Sequence, residues 1–255
     1  MKISGKLILY LLLAFALGFF GFKYIFQFFN SDSPEIETRV HNKNAEKQQE
    51  WEIIFDGKSF SGWRGYGLQV APEEWKIEDG ALVFYPNPEH RSGLNNLITD
   101  KEYTSFVLSL EWKISKGGNS GIFWGIREDT AYVVPYMTAP EMQILDDENH
   151  PDAQNKLHRT GAVFDISPPN QNAAKSAGEW NTTVLEINHN TNRGKVVLNG
   201  LLINEFPLSG PEWDALIANT KFKNWQGFGK FKTGRIGLQD HGNMVSFKNI
   251  KIKPL

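Results

Sequence analysis

Two carboxylates and an amide lie close together in residues 140–146, where they could carry out acid–base chemistry. In an extended strand, Glu141 and Gln143 point to one face, and the apolar residues between and after them point to the other. Strict alternation leaves Asp146 on the apolar side, so we predict a β-bulge after Ile144 that turns Asp146 to the polar face. Two carboxylates on one sheet face can transfer protons at a sugar, and an amide between them can hold a hydroxyl group. The solvated face of an antiparallel strand would show the same alternation.

Two further predicted strands, residues 119–127 and 234–241, also carry polar groups on one face. The polar residues on that face are Asn119, Arg127, Arg235, Gln239 and His241, and the glycines between them are Gly121, Gly125 and Gly237. Glycine has no side chain, so another group can approach the backbone closely at these points. Together with residues 140–146, these strands predict a polar groove with a glycine floor.

The rest of the sequence predicts many short strands to position this groove. Apolar and polar residues alternate most clearly over residues 106–114, and residues 160–166 also have a strand pattern. Asp79-Gly80 and Asn199-Gly200 are typical of hairpin turns. Only residues 211–219 resemble a short helix. Short strands without intervening helices predict an all-β antiparallel sandwich or barrel.

Composition excludes several classes of function. The formal net charge is −2, and the lysines and arginines are scattered, so nothing predicts a nucleic-acid partner. The chain has no cysteine, which excludes disulfides, thiolate catalysis and cysteine zinc sites. Eight tryptophans and eighteen phenylalanines suit both a β-sandwich core and a surface on which sugars stack. We predict no cofactor and no required metal, and the oligomeric state stays open.

The N-terminal region predicts membrane targeting. Residues 1–29 carry an apolar run after Lys2 and Lys6, and we expect an uncleaved transmembrane anchor rather than a cleaved signal peptide. The charge pattern around this run places the rest of the chain outside the cytoplasm, at the periplasmic or cell surface. Residues 30–50 are polar and predict a flexible linker. Residues 51–255 then form the predicted β-sandwich.

The motifs of residues 51–255, taken in order, closely resemble the 3-keto-disaccharide hydrolase family. They run from Trp-Glu-Ile-Ile-Phe-Asp-Gly-Lys at residue 51 through Asn-Ser-Gly-Ile at 119 and Glu-Met-Gln-Ile-Leu-Asp at 141. Gly-Glu-Trp-Asn at 178, Leu-Asn-Gly at 198 and Leu-Gln-Asp-His-Gly at 238 complete the set. The sequence departs from the family at Ser176, where proline is frequent, and at Lys248, where arginine is usual. The resemblance implies a concanavalin A-like jelly-roll sandwich of the lectin/glucanase type.

The resemblance also implies action on glycosides that are already oxidised to a ketone at C3. Such a ketone acidifies the C2 proton, so that a base can remove it, the substituent at C1 can leave, and water can add. Glu141 and His241 are the candidates for base and acid, in either order. Arg127, Gln143 and Gln239 are candidates for holding the ketone and hydroxyls, with Asp146 orienting a neighbour.

Several alternatives and peripheral residues remain in this interpretation. An ordinary glycosidase would use Glu141 and Asp146 as its two carboxylates. A membrane-tethered carbohydrate-binding module would have no catalytic pair at all. Asn119 lies on the groove face, and His158, Lys175 and Trp225 lie in loops that could reach the groove and bind substrate. The aglycone, the linkage and the anomer stay open.

Overall fold

A computed structural model describes residues 50–89 and 94–255. The predicted anchor, residues 1–29, lies outside the described residues, as does all but the last residue of the predicted linker. Within the part that is described, no helix is long and apolar enough to cross a membrane.

The described residues form a sandwich of two antiparallel sheets. The strands of the larger sheet are β1 (Glu52–Ile53), β3 (Trp75–Glu78), β4 (Ala81–Phe84), β6 (Phe106–Ile114), β9 (Asn181–Asn188), β10 (Arg193–Leu198), β11 (Leu201–Pro207) and β13 (Val245–Pro254). Their order across the sheet is β11-β10-β9-β6-β13-β4-β3, and β1 also pairs with β13.

The smaller sheet carries the stretches whose polar residues predicted a groove. Its strands are β2 (Trp63–Gly65), β5 (Leu97–Thr99), β7 (Asn119–Ile126), β8 (Glu141–Leu145) and β12 (Arg235–Leu238). Their order across the sheet is β2-β5-β12-β7-β8. The all-β sandwich predicted from the sequence is therefore confirmed.

Local sequence signals explain most of these strands. In β6 every second side chain is buried, as the alternation predicted. The hairpins β3–β4 and β10–β11 turn at Asp79-Gly80 and Asn199-Gly200, where all four residues have positive φ. One α-helix, α1 (Gly210–Ile217), follows β11, and Trp213 anchors it in the core.

The main core lies between the two sheets. Alternate residues of β6, including Leu108 and Trp112, face inward from the larger sheet, and Trp112 donates its indole N–H to Thr183 at 2.9 Å. Ile122 and Trp124 of β7 and Met142 of β8 face them from the smaller sheet. Consequently the residues that alternate with these three, such as Gly121 and Glu141, lie on the outer face of the smaller sheet.

Two local predictions are wrong. Residues 160–166 form turns, and Val163 makes only isolated bridges to Met142 and Ser167. The bulge after Ile144 is absent, because β8 pairs with β7 without a register shift. Leu145 therefore shares the outer face with Glu141, and Asp146 continues the alternation onto the other side.

Candidate functional site

A cavity of about 290 Å³ lies on the outer face of the smaller sheet. Six of the residues predicted as site residues line it: Asn119, Glu141, Gln143, Trp225, Gln239 and His241. Tyr136, Phe164, Lys221 and Phe222 complete the lining. The volume is near the lower end of the usual range for small-molecule sites, about 300 to 1,000 Å³.

Glu141 lies at the floor of the cavity, over the backbone of the neighbouring strand. A β-carbon added at Gly121 would overlap the Glu141 carboxyl group, so glycine is what lets the side chain lie flat there. Gln239 donates its backbone N–H to the Gly121 carbonyl at 2.9 Å, so Gln239 and Glu141 flank β7 from opposite sides. Of the three predicted floor glycines, only Gly121 lies beside a cavity residue, and the group that covers it is Glu141 itself. Gly125 faces the Phe231 backbone, and Gly237 faces Ile126 and Phe123.

Burial sets the protonation state of Glu141. Its Oε1 atom is buried, and no donor from residues 50–89 or 94–255 lies within hydrogen-bonding geometry of it. Loss of water raises the pKa of this carboxyl group to about 8, although the Lys221 ammonium and the Gln239 amide both act to lower it. At neutral pH the carboxyl group is therefore mainly protonated and can donate a proton.

The amides beside Glu141 form an ordered polar surface. Gln143 donates its side-chain N–H to Asn119 Oδ1 at 2.8 Å, and both side chains are buried. Asn119 is held in turn by its backbone N–H, which donates to Asn243 Oδ1 at 3.1 Å. The Oε1 atom of Gln239 is buried and has no hydrogen-bond partner in the described part of the chain, so it can accept a bond from a ligand hydroxyl.

His241 reaches the cavity from the connection between β12 and β13. Although the residue is exposed, the protein around its ring removes water, and this loss lowers its pKa. The nearby His150 lowers the pKa further, whereas Asp240 acts to raise it. The imidazole is therefore neutral at neutral pH and can accept a proton.

Aromatic side chains wall the cavity. Phe222 stacks on Phe228 with ring centroids 3.9 Å apart, and Trp225 meets Phe222 edge-on at 5.1 Å. Tyr136 lies 6.2 Å from Trp225. Because Phe222 and Phe228 are buried, this cluster is a fixed wall on which a sugar ring can stack.

Lys221 was not among the residues singled out in the sequence. Its ammonium lies 4.4 Å above the Phe164 ring and 3.9 Å from Asp165 Oδ2. Among the residues that the structure describes, it is the only lysine or arginine in the lining of the cavity. No strand or helix pattern marks it, because it lies in the irregular connection between α1 and β12.

Arg127 does not line the cavity, contrary to the prediction. A register shift between β7 and β12 places an extra residue in β7 near Gly125, whose φ is +67°. The bulge puts Ile126 on the same outer face as Phe123, where both pack in one cluster, so the alternation that predicted the direction of Arg127 is broken. Arg127 is exposed beyond the end of the strand.

Asp146 also lies outside the cavity lining. Its carboxylate accepts backbone hydrogen bonds from Gly117 at 2.7 Å, Glu148 at 3.2 Å and Asn149 at 3.3 Å, and a side-chain bond from Asn149 at 2.8 Å. Burial alone would raise its pKa, but these bonds outweigh it and lower the pKa. Asp146 thus fixes the turn after β8, and its position does not support the predicted catalytic role.

His158 and Lys175 are separated from the cavity in different ways. His158 lies one layer behind it, stacked on Phe164 at 4.4 Å and 2.7 Å from Asp165 Oδ1. Lys175 is exposed and donates its ammonium to the Trp180 carbonyl at 2.9 Å. In residues 50–89 and 94–255, no three His, Cys, Asp or Glu side chains are grouped so that they could hold a metal ion.

The site pairs a protonated carboxyl group with a neutral imidazole, beside amides and an aromatic wall. Fold and site together define an antiparallel β-sandwich protein with a polar cavity on an outer sheet face. Residues 50–253 match the family model of the 3-keto-alpha-glucoside-1,2-lyase-like domain, and the chain belongs to this family. The resemblance seen in the motifs is therefore confirmed.

Individual relatives cover most of the chain. A 3-keto-disaccharide hydrolase from Bacteroides thetaiotaomicron is 38% identical over 228 residues, which cover 79% of this chain and 77% of that protein. The crystal structure of a candidate glycosyl hydrolase from Parabacteroides distasonis has a TM-score of 0.74 at 29% identity, covering 80% of this chain and 94% of that one. A Bacillus subtilis protein of unknown function with a galectin-like fold has a TM-score of 0.51 at 10% identity, covering 80% and 94%, and shows the fold alone.

Proposed function

We propose that this protein cleaves glycosides, and that its substrates carry a ketone at C3. The observation that carries the proposal is the Glu141 carboxyl group, buried at the floor of the cavity with a pKa of about 8, which shares that cavity with the neutral imidazole of His241. Two groups with displaced pKa values in one cavity are typical of a site that moves protons. The B. thetaiotaomicron relative, named as a 3-keto-disaccharide hydrolase, supports the substrate class.

The chemistry needs one base and one acid. A base removes the C2 proton and forms an enolate whose charge lies on the C3 oxygen. The enolate electrons then form the C1–C2 double bond, the C3 ketone re-forms, and the C1–O bond breaks as an acid protonates the leaving oxygen. Water finally adds across the double bond, with its oxygen at C1 and a proton at C2, and releases the 3-keto sugar. No oxidant or reductant is consumed.

The protonation states support one order of the two roles. In the free protein near neutral pH, His241 can accept the C2 proton and Glu141 can donate one to the leaving oxygen. The amide groups of Asn119, Gln143 and Gln239 then bind hydroxyls, and Trp225 stacks on the ring. This assignment extends the sequence analysis, which left the order of base and acid open.

An ordinary two-carboxylate mechanism is less well supported by the site. It requires a second carboxylate facing C1 beside Glu141, in retaining enzymes about 5 to 5.5 Å away. Asp146 is the predicted partner, but its oxygens accept hydrogen bonds from the turn after β8, and Asp146 is not in the lining. Among the described residues that line the cavity, Glu141 is the only one with a carboxyl group.

A matched pair of substrates tests the proposal. Residues 50–255 are incubated with a 3-keto-disaccharide and with the parent disaccharide, and released monosaccharide is measured. We expect cleavage of the ketone alone, because without it the C2 proton is far too weakly acidic. Cleavage of the parent at the same rate would contradict the proposed substrate class. Binding of both sugars without cleavage of either would instead support a carbohydrate-binding module.

A further inference from the structure

We propose that Lys221 is the cationic group that stabilises the enolate, by placing its ammonium against the C3 oxygen of the bound sugar. The inference rests on the proposed function and names the partner of the charge that this reaction creates. Arg127, the cation predicted for this task, is exposed beyond the end of β7 and is absent from the cavity lining. Lys221, in the connection between α1 and β12, supplies the positive charge that Arg127 does not bring to the cavity.

The position of Lys221 is fixed from two sides. Its ammonium lies 4.4 Å above the Phe164 ring and 5.1 Å from the centre of the Phe222 ring, and both rings line the cavity. Asp165, a non-glycine residue at φ +62°, sits 3.9 Å from the ammonium and is itself held by His158 at 2.7 Å. His158 is thus a positioning residue, and it acts on the cavity through Asp165.

The hydrogen-bonding capacity of the ammonium remains available to a ligand. A separation of 3.9 Å is longer than a hydrogen bond, so Asp165 attracts Lys221 without taking one of its N–H donors. The side chain is 54% exposed in the empty cavity. A sugar stacked on the aromatic wall would shield it from water and so strengthen its attraction for a developing anion.

The other polar groups in the cavity are poorly suited to this task. Gln143 already donates to Asn119 at 2.8 Å. Glu141 and His241 are needed for the two proton transfers, and neither carries a positive charge at neutral pH before the reaction. The ammonium of Lys221 also acts on the Glu141 carboxyl group, where it works to lower the pKa, so its field reaches the cavity floor.

The step itself requires no new bond to the protein. The C2–H electron pair becomes the second bond between C2 and C3, and the former carbonyl pair moves to the C3 oxygen, which binds Lys221 through N–H donors. When the C1–O bond breaks, the pair returns and the ketone re-forms. Lysine can also attack a ketone to form an imine, with loss of water. Our proposal is the non-covalent role, and the two are distinguishable.

The test compares Lys221→Met, Lys221→Arg and Lys223→Met. Lys223 is exposed two residues away in the same loop and is outside the cavity lining, so its variant is the matched control. The readouts are kcat/KM on a 3-keto-disaccharide, its pH profile, and incorporation of deuterium from solvent at C2. We expect K221M to lose roughly a hundredfold in kcat/KM and in the rate of C2 exchange, the usual scale for a lost oxyanion donor. K221R should retain most activity, and K223M should match the wild type.

The pH profile separates this role from a merely structural one. Removing the ammonium takes away a charge that lowers the Glu141 pKa, so the alkaline limb of kcat/KM should move to higher pH in K221M. K221M that keeps wild-type exchange and cleavage would overturn the assignment of Lys221 while leaving the proposed function intact. Borohydride trapping of substrate on Lys221 would also overturn the electrostatic role. If the wild type neither exchanges C2 nor cleaves the ketone, the proposed function fails, and the inference about Lys221 fails with it.

Discussion

At Glu141, burial determines which chemistry the side chain can perform. A carboxylate exposed on a sheet would be ionised at neutral pH, whereas this one is held protonated up to a pKa of about 8 by loss of water. His241 is displaced in the opposite direction for the same physical reason, since burial disfavours its charged form. Loss of water around the two groups thus yields an acid and a base.

Replacing Glu141 by Gln should lower activity without unfolding the protein. We expect E141Q to lose roughly a hundredfold or more in turnover of a 3-keto-disaccharide, the usual scale for a lost acid or base. Glu148→Gln is the control, because Glu148 is an exposed acid just past the end of β8 that does not line the cavity. Turnover of E141Q close to that of E148Q would move the proton transfer to another residue.

The same variant should change how stability depends on pH. Between pH 4.5 and about 8, the folded chain keeps a proton on Glu141 that the unfolded chain has lost. Rising pH therefore lowers the free energy of unfolding across this window, and Gln cannot show this effect. We expect calorimetry to show that the Tm of E141Q minus the Tm of the wild type is larger at pH 9 than at pH 5. An equal difference at both values would contradict a raised pKa.

The pH dependence of catalysis should show that the reaction needs one proton shared between Glu141 and His241. If His241 is the base, kcat/KM rises as His241 loses its proton, below the ordinary value of about 6.5. If Glu141 is the acid, kcat/KM falls again as that group loses its proton near pH 8. Rates that instead increase through pH 8 would show that the reaction needs no proton on Glu141 and would contradict its role as the acid.

At the scale of the strands, the register of β7 and β8 decides which side chains meet. Regular pairing carries Glu141, Gln143 and Asn119 onto one face, as alternation in the sequence predicted. The bulge near Gly125 then removes Arg127 from that face. Alternation alone did not reveal this bulge, and it suggested another one after Ile144 that does not form. The bulge near Gly125 depends on the pairing of β7 with β12, which lies more than 100 residues away in sequence.

We expect Gly121 to be essential because a side chain at this position would displace the Glu141 carboxyl group, and not because the strand itself needs glycine. Its substitution by alanine places a methyl group where the Glu141 carboxyl group lies, so we expect Gly121→Ala to lower activity by at least tenfold while the sheet remains folded. A double-mutant cycle with Glu141→Ala is the control for stability. If the two residues are coupled, G121A should destabilise the E141A protein much less than the wild type. An equal loss in both backgrounds would show that the clash lies elsewhere.

At the scale of the molecule, the sequence predicted the sandwich and the strand residues of the cavity, but only one of the residues that wall it. Strand alternation and hairpin turns are local signals, and they sufficed for the sheets. Lys221, Phe164 and Tyr136 come from loops in three separate regions, and only the packing of the whole chain brings them to Glu141. Trp225 was predicted to reach the groove from a loop, and it lines the cavity beside Phe222.

We propose that residues 1–29 anchor the protein in a membrane and that the sandwich lies outside the cytoplasm. The support is the apolar run of the sequence, which lies outside the described residues. The full chain should sediment with membranes and be released only by detergent, whereas residues 51–255 should be recovered folded in the soluble fraction. Recovery of a soluble chain shortened at its N-terminus would show cleavage and contradict the anchor.

The fate of the C2 hydrogen tests the central claim most directly. Elimination removes this hydrogen as a proton and returns another from solvent, whereas displacement at C1 never breaks the C2–H bond. Residues 50–255 are therefore incubated with a 3-keto-glucoside in deuterated water, beside an enzyme-free control. We expect the released 3-keto sugar to carry deuterium at C2, well beyond the slow exchange of the control. Release of the sugar with no deuterium at C2 would contradict the account.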